Sequence, residues 1–145
     1  MNIFEELIQN KKRIFGTPGF SLDSSEFTQE AINAGQIGEQ KVGDILKRIA
    51  SARTDMYVFN SVKLPGHKGD MDHVVIIGEE VFLIDTKNWK GNSTYTVGQT
   101  DTEKAYIYRD GQPFNGGEIH LPKQTQDWSQ QFSYGYTVHP ILCLA

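Results

Sequence analysis

The sequence predicts a single α/β domain: helices sandwiching a mixed sheet, in the order α-β-β-β, a small β insertion, then α-β. Three observations predict it. Apolar residues recur at helical spacing from about Gln29 to Ala50; two continuous apolar runs, "VVII" and "VFLI", flank a short turn; a second helical stretch leads into the apolar segment "TVHPILCLA". At 145 residues the chain is long enough for one real hydrophobic core and too short for two comfortable domains.

The opening stretch, "MNIFEELIQNKKRIF", sets Ile3, Phe4, Leu7, Ile8, Ile14 and Phe15 among charges of both signs, the pattern of an amphipathic helix and not of a secretory leader. Residues 16 to 28 hold Gly, Pro and Ser at loop density, so 1–28 read as an N-terminal helix and loop and 29–145 as the domain proper. In that domain Ile32, Ile37, Val42, Ile45, Leu46 and Ile49 return at three- and four-residue intervals, giving one long helix or two shorter ones broken near Gly35 and Gly38. "MYVFNSVKL" alternates as a strand with Tyr57 and Phe59 on one side, a side that Ser61 can join, and "PGHKGD" is a loop. "MDHVVIIG" and "VFLIDTKNW" form a hairpin turning at Gly78, Glu79 and Glu80. Their unbroken apolar runs predict strands covered on both faces, with helices as the cover. "STYTVGQ" and "KAYIYRDGQPF" predict a peripheral hairpin or meander, and "LPKQTQDWSQQFSYG" a helix opened by Pro122. The apolar ending reads as that of a domain cut from something longer.

Hydrophobic residues make up 38% and charged residues 22%, the balance of a folded, water-soluble domain and not of a disordered tail. No run approaches the roughly 18 apolar residues of a membrane helix, so no membrane contact is expected of this segment. Cys143 is the single cysteine, which excludes an intramolecular disulfide framework and a thiolate zinc cage. A reducing, cytoplasmic setting fits. The net charge of −4 provides no global field for nucleic acid, so any such contact must be local.

Charge inside the apolar hairpin points to chemistry, because an unpartnered buried charge is costly. Side chains alternate across a strand, so Asp85 and Lys87 share a face about 7 Å apart, while Asp72 begins the partner strand and is set to meet Asp85 at the hairpin's end. Two close carboxylates repel and raise one pKa unless a cation compensates. Carboxylate oxygens, waters and a substrate phosphate are what Mg²⁺ prefers, and a lysine at the same point can orient a water and neutralise charge on phosphate. The D…D-x-K constellation therefore makes sense as a metal-assisted phosphodiester-hydrolysis site.

"GDMDHVVII…VFLIDTKNWKG", preceded by "GQIGEQKVGDIL", resembles the NERD (nuclease-related) domain of the PD-(D/E)xK nuclease superfamily. The resemblance is strong over roughly residues 35 to 91 and looser over the later helix and last strand. It implies a restriction-endonuclease-like fold and a nuclease dependent on Mg²⁺ or Mn²⁺ acting on nucleic acid, DNA first. Asp72 then matches the first-strand metal ligand, Asp85 the acidic residue of (D/E)-x-K where Glu is commoner, and Lys87 the lysine that positions the attacking water. Glu39 matches the acidic residue of the first core helix, a third ligand facing the metal. Gln124 and Gln126 compete for the glutamine after a helix-opening proline, and Asn88 is a further candidate for touching phosphate.

Blander readings stand beside these. Glu39 can be a solvent-facing partner of Lys41; Asp70, on the face of Asp72, can exchange roles with it or be a loop residue; His67 and His73 raise a zinc alternative, although His73 should face away from Asp72. Lys63, Lys68, Lys90, Lys104 and Arg109 can line a nucleic-acid path or form a solvated surface. Trp89 can simply end the strand and cap the core, and Cys143 is expected to pack. The principal rival to a nuclease is a non-catalytic nucleic-acid-binding or regulatory module on the same fold; a protein-interaction domain is third.

Overall fold

The computed structural model describes residues 12–19, 29–67, 69–89 and 91–145. The short strand β1 (Ile14–Phe15) is followed by helix α1 (Gln29–Ser51), β2 (Met56–Lys63), β3 (Asp70–Ile77) and β4 (Glu80–Lys87). Then come β5 (Tyr95–Thr100), β6 (Ala105–Arg109), β7 (Gln112–Ile119), α2 (Leu121–Ser129) and β8 (Thr137–Leu144). A five-stranded mixed sheet runs β1-β2-β3-β4-β8, and β5-β6-β7 form a separate antiparallel sheet. The predicted α-β-β-β, β-insertion, α-β order is thus observed, with β1 added at one edge.

Most of the expected N-terminal helix lies outside the described residues. Its last two members are strand instead: Ile14 and Phe15 pair in parallel with Val58 and Phe59, and Phe15 stacks on Phe59 with ring centroids 4.7 Å apart. Arg13 holds this strand by donating to the carbonyls of Ala50 and Arg53 at the end of α1. A local helical pattern gives way here to a sheet edge that needed a neighbour.

β3 and β4 are a hairpin in register from His73↔Ile84 to Ile77↔Glu80, turning over Gly78 and Glu79 with Gly78 at φ +60°. A left-handed first turn position favours glycine in a two-residue hairpin loop. Both strands are covered on two faces. Val75 and Ile84 pack with Met56 and Val58 against Val42, Leu46 and Ala50 of α1. Val74, Ile76, Val81 and Leu83 join Phe59 and Met71 on the other side.

Cover on that second side is not purely helical. Ala105, Ile107 and Ile119 of the small sheet are buried in the same cluster as Leu121 and Trp128 of α2. The insertion, expected to be peripheral, is part of the core. Its short strands carry apolar residues on one face, and α2, ending at Ser129 instead of running on to Gly135, is too short to cover the sheet alone.

Helix α1 runs unbroken through Gly35 and Gly38. Of its six periodic apolar residues only Val42 and Leu46 are buried, whereas Ile37, Ile45 and Ile49 are about half exposed. Its inner stripe is made of Gly38, Glu39, Val42, Gly43, Leu46 and Ala50. Small residues explain this choice of face. A Cβ at Gly43 would lie 2.4 Å from Pro18 Cγ, and one at Gly38 would lie 2.9 Å from Asn88 Cβ. The helix lies close against its neighbours because those side chains are missing.

Candidate active site

The β3–β4 ladder stops at His73↔Ile84, one pair before Asp72 would face Asp85. In place of a backbone partner, the Thr86 N–H donates to Asp72 Oδ2 at 2.7 Å. β2 also interrupts its pairing here, where Ser61 adopts φ +54° and its Oγ donates to the Thr17 carbonyl at 2.8 Å. The strands part, and Glu39 reaches the opening from α1. β4 is meanwhile held in place by β8, its parallel neighbour from Glu80↔Thr137 to Lys87↔Leu144.

Glu39 is only 4% exposed. Burial pushes its carboxyl above the usual range; the charges of Asp70 and Asp85 add to this, while hydrogen bonds from the Gly19 backbone and with Asp72 oppose it. Asp72 is pushed up to about 8, first by burial and then by the Glu39 and Asp85 charges, against the Thr86 hydrogen bond and the charge of Lys87. Both shifts disfavour the charged form. Lys87 Nζ lies 3.1 Å from Asp85 Oδ1, with the lysine side chain 33% exposed and the aspartate 13%. One end of the site therefore holds a buried Glu39 beside a half-buried Asp72, the other an ion pair.

Of these groups Glu39, Asp72 and Lys87, but not Asp85, border a cleft of about 330 Å³ lined also by Thr86, Asn88 and Trp89, with the first turns of α1 and Gly116 of β7 as further walls. Asn88 lies in the wall, but its Nδ2 donates to the Ala34 carbonyl at 2.9 Å, tying the end of β4 to α1. Thr86, which sequence reasoning did not single out, contributes through its backbone N–H. No residue-type signal marks such a role; only the interrupted ladder does.

Gln124 and Gln126 lie elsewhere. Gln124 lines a neighbouring cavity of about 90 Å³ together with His67, Asp70 and Asp127, while Gln126 Nε2 donates to the Thr102 carbonyl at 2.6 Å. Asp70 also belongs to that second cavity. Its Oδ2 is buried without a hydrogen-bond partner among the described residues, and burial raises its pKa. The two histidines of the zinc alternative are not brought together: His67 Nδ1 lies 3.7 Å from Asp127, whereas His73 is fully buried with Nδ1 2.8 Å from Asn60 Oδ1. Burial lowers the His73 pKa to about 4, so the ring is neutral. Among the described residues, no group of three or more His, Cys, Asp and Glu side chains forms a ready metal cage. Glu39 and Asp72 are near enough for the charge of one to raise the pKa of the other, without a third ligand preset around a common point.

Of the candidate nucleic-acid cations, Lys104 pairs with Glu118 at 3.0 Å and the Arg109 guanidinium lies 4.9 Å from the centre of the Phe114 ring. The charge of Lys63 partly opposes the rise that burial gives the Asp70 pKa. Lys68 and Lys90 lie outside the described residues. No helix among the described residues is long and apolar enough to cross a membrane.

The chain is thus a mixed α/β domain that brings acidic side chains and a lysine together where its central strands part. Comparison with known families makes the assignment narrower. The family model "NERD: Nuclease-related domain" matches residues 34–145, most of the chain, and the chain belongs to that family. No curated protein and no solved structure matches it significantly.

Proposed function

We propose that this domain is a metal-dependent nuclease of restriction-endonuclease-like, PD-(D/E)xK type that hydrolyses DNA phosphodiester bonds. The observation that carries this reading is the meeting of Glu39, Asp72, Asp85 and Lys87 where β3 and β4 part. The nuclease-related family supports it.

The donor set fits Mg²⁺ or Mn²⁺. Asp72, Asp85 and Glu39 offer only carboxylate oxygens, and hard divalent ions take one or two protein carboxylates plus waters and substrate phosphate. Burial first, and the neighbouring carboxylate charges after it, raise the pKa values of Glu39 and Asp72, and a bound cation would favour their ionised forms. When bound, the ion supplies Lewis-acid polarisation of the phosphate and favours deprotonation of water.

The chain's own residues supply the rest. Thr86 N–H fixes the Asp72 carboxylate, and Asp85 fixes the Lys87 ammonium at 3.1 Å. Lys87 orients a water for attack on phosphorus and balances the negative charge that builds up on the phosphoryl oxygens. As the water oxygen bonds to phosphorus, one P–O ester bond breaks, the water surrenders a proton and the departing alkoxide gains one. Asn88 positions the lysine strand by its bond to Ala34.

Supercoiled plasmid should be cut in Mg²⁺ or Mn²⁺, not in EDTA, with Asp85→Ala and Lys87→Ala each lowering the rate at least about a hundredfold. Full activity in either variant, or an inert wild type with both metals, would refute hydrolysis. The Lys87–Asp85 pair also favours a second reading, since it partly neutralises the site by itself. A nucleic-acid-binding module on this fold would bind DNA in EDTA, lose affinity steeply with salt and cleave in neither metal.

A further inference from the structure

The cleft combines its polar edge with an apolar end. Beyond Glu39, Asp72 and Lys87, its lining includes Ile32 and Gly35 of α1 and Trp89. β4 ends at Lys87, and Trp89, two residues further along the chain, lines the same cleft as that lysine. An aromatic ring thus sits one short step from the lysine of the proposed hydrolytic site, in the same cleft.

Trp89 is held firmly. Its ring centroid lies 4.9 Å from that of Tyr95 and 5.1 Å from that of Phe114, the latter edge-on at 88°. Arg109 in turn covers Phe114. Three aromatic rings from the end of β4 and from the small sheet therefore brace one another, and the insertion adds Gly116 to the cleft wall. A half-buried tryptophan braced by rings and facing a cleft is a platform on which a flat, weakly polar group can stack, and every nucleobase has such a face.

The walls of the cleft favour an unpaired substrate over a paired one. A volume of about 330 Å³, walled by α1 on one side and by the small sheet on another, is suited to a single small group. A base still paired in a duplex brings its partner and both backbones with it. A base reaches such a pocket only by leaving the stack, which costs least where it is already unpaired.

We propose that Trp89 is a base-stacking residue and that the cleft takes one unpaired nucleotide, so that the domain acts on single-stranded nucleic acid or frayed ends in preference to continuous duplex. This substrate class rests on the nuclease reading for its chemistry, but stacking itself needs no hydrolysis. The small sheet then has a second role, as the element that braces the platform.

The test reads Trp89 directly. The chain has two tryptophans, and Trp128, at 4% exposure, is in the core. In Trp128→Phe, where Trp89 is the sole emitter, short oligodeoxythymidylate in EDTA or Ca²⁺ should quench the fluorescence; blunt duplex should do so with about tenfold lower affinity. By anisotropy, Trp89→Ala should weaken single-strand binding about tenfold and Trp89→Phe less than about threefold, as the loss or keeping of a stacking ring predicts. If Trp128→Phe fails to fold, the wild type serves, with Trp128 as a constant background. Equal affinity for duplex, absence of quenching, or unchanged single-strand binding in folded Trp89→Ala overturns the proposal. Quenching without cleavage in Mg²⁺ or Mn²⁺ upholds stacking and defeats the nuclease reading; cleavage without quenching does the reverse.

Discussion

At Asp72, burial and two neighbouring carboxylates all oppose ionisation, and the carboxyl's pKa rises from 3.8 to about 8. The folded state thus keeps a proton that the unfolded chain releases, so this stabilisation is full below pH 3.8 and is lost as pH rises through about 8. Glu39 is shifted in the same direction. His73 runs the other way: buried and neutral, with its pKa lowered from 6.5 to about 4, it gives stability that is full above 6.5 and lost as pH falls toward 4. The histidine offsets part of the acids' effect below 6.5. In EDTA, the melting temperature should therefore fall most steeply between about pH 6.5 and 8. Asp72→Asn should flatten that fall, and Mg²⁺ should oppose it by stabilising the ionised carboxylates. A wild-type melting temperature that climbs across the same window in EDTA would be inconsistent with a protonated Asp72. Asp72, Asp85 and Lys87 were legible in the sequence because strand alternation and apolar flanks fix their face. Thr86 was not, since its part is played by a backbone N–H that every residue has.

Helix α1 sets the depth of the site through residues it lacks. Gly38 brings the helix near Asn88, and Asn88 bonds back to Ala34 one residue beyond Lys87. Alanine is favoured over glycine within helices by about 1 kcal/mol, so Gly38→Ala ought to stabilise a free helix. Here its Cβ would come within 2.9 Å of Asn88 Cβ, and something must move. We expect Gly38→Ala to destabilise the protein by about 1–3 kcal/mol in urea unfolding, the usual cost of overpacking, and to lower the cleavage rate by displacing Lys87. A gain in stability with unchanged rate would show that the contact is slack. The sequence predicted the span of α1 but left open a break near Gly35 and Gly38, and it did not predict the buried face. Periodicity drew attention to Ile37, Ile45 and Ile49, whereas close packing favoured the stripe with glycines and alanine. Gln124 and Gln126 were equally open in the sequence, since only the packing of α2 on the small sheet turns the second toward Thr102.

Across the whole molecule, the central strands separate two packed clusters, and the small sheet belongs to one of them. Ile107, 4% exposed, is as much a core residue as Leu83. Ile107→Ala should cost about 2–5 kcal/mol, the range for a buried large-to-small change, and a urea midpoint close to wild type would mean that the insertion is energetically separate. Hairpin, helices and element order could be read from periodicity because each is a local pattern. Membership of the small sheet in the core could not, because it depends on which distant face the meander lands on. β8 raises a related matter of distance. Its residues bracket β4, with Thr137 N–H donating to the Glu79 carbonyl and Ala145 N–H to that of Lys87, each at 2.9 Å. The strand bearing Asp85 and Lys87 therefore lacks one of its two neighbours until residues 137 to 145 have left the ribosome. During synthesis Asp85 and Lys87 gain their second flanking strand only as β8 docks.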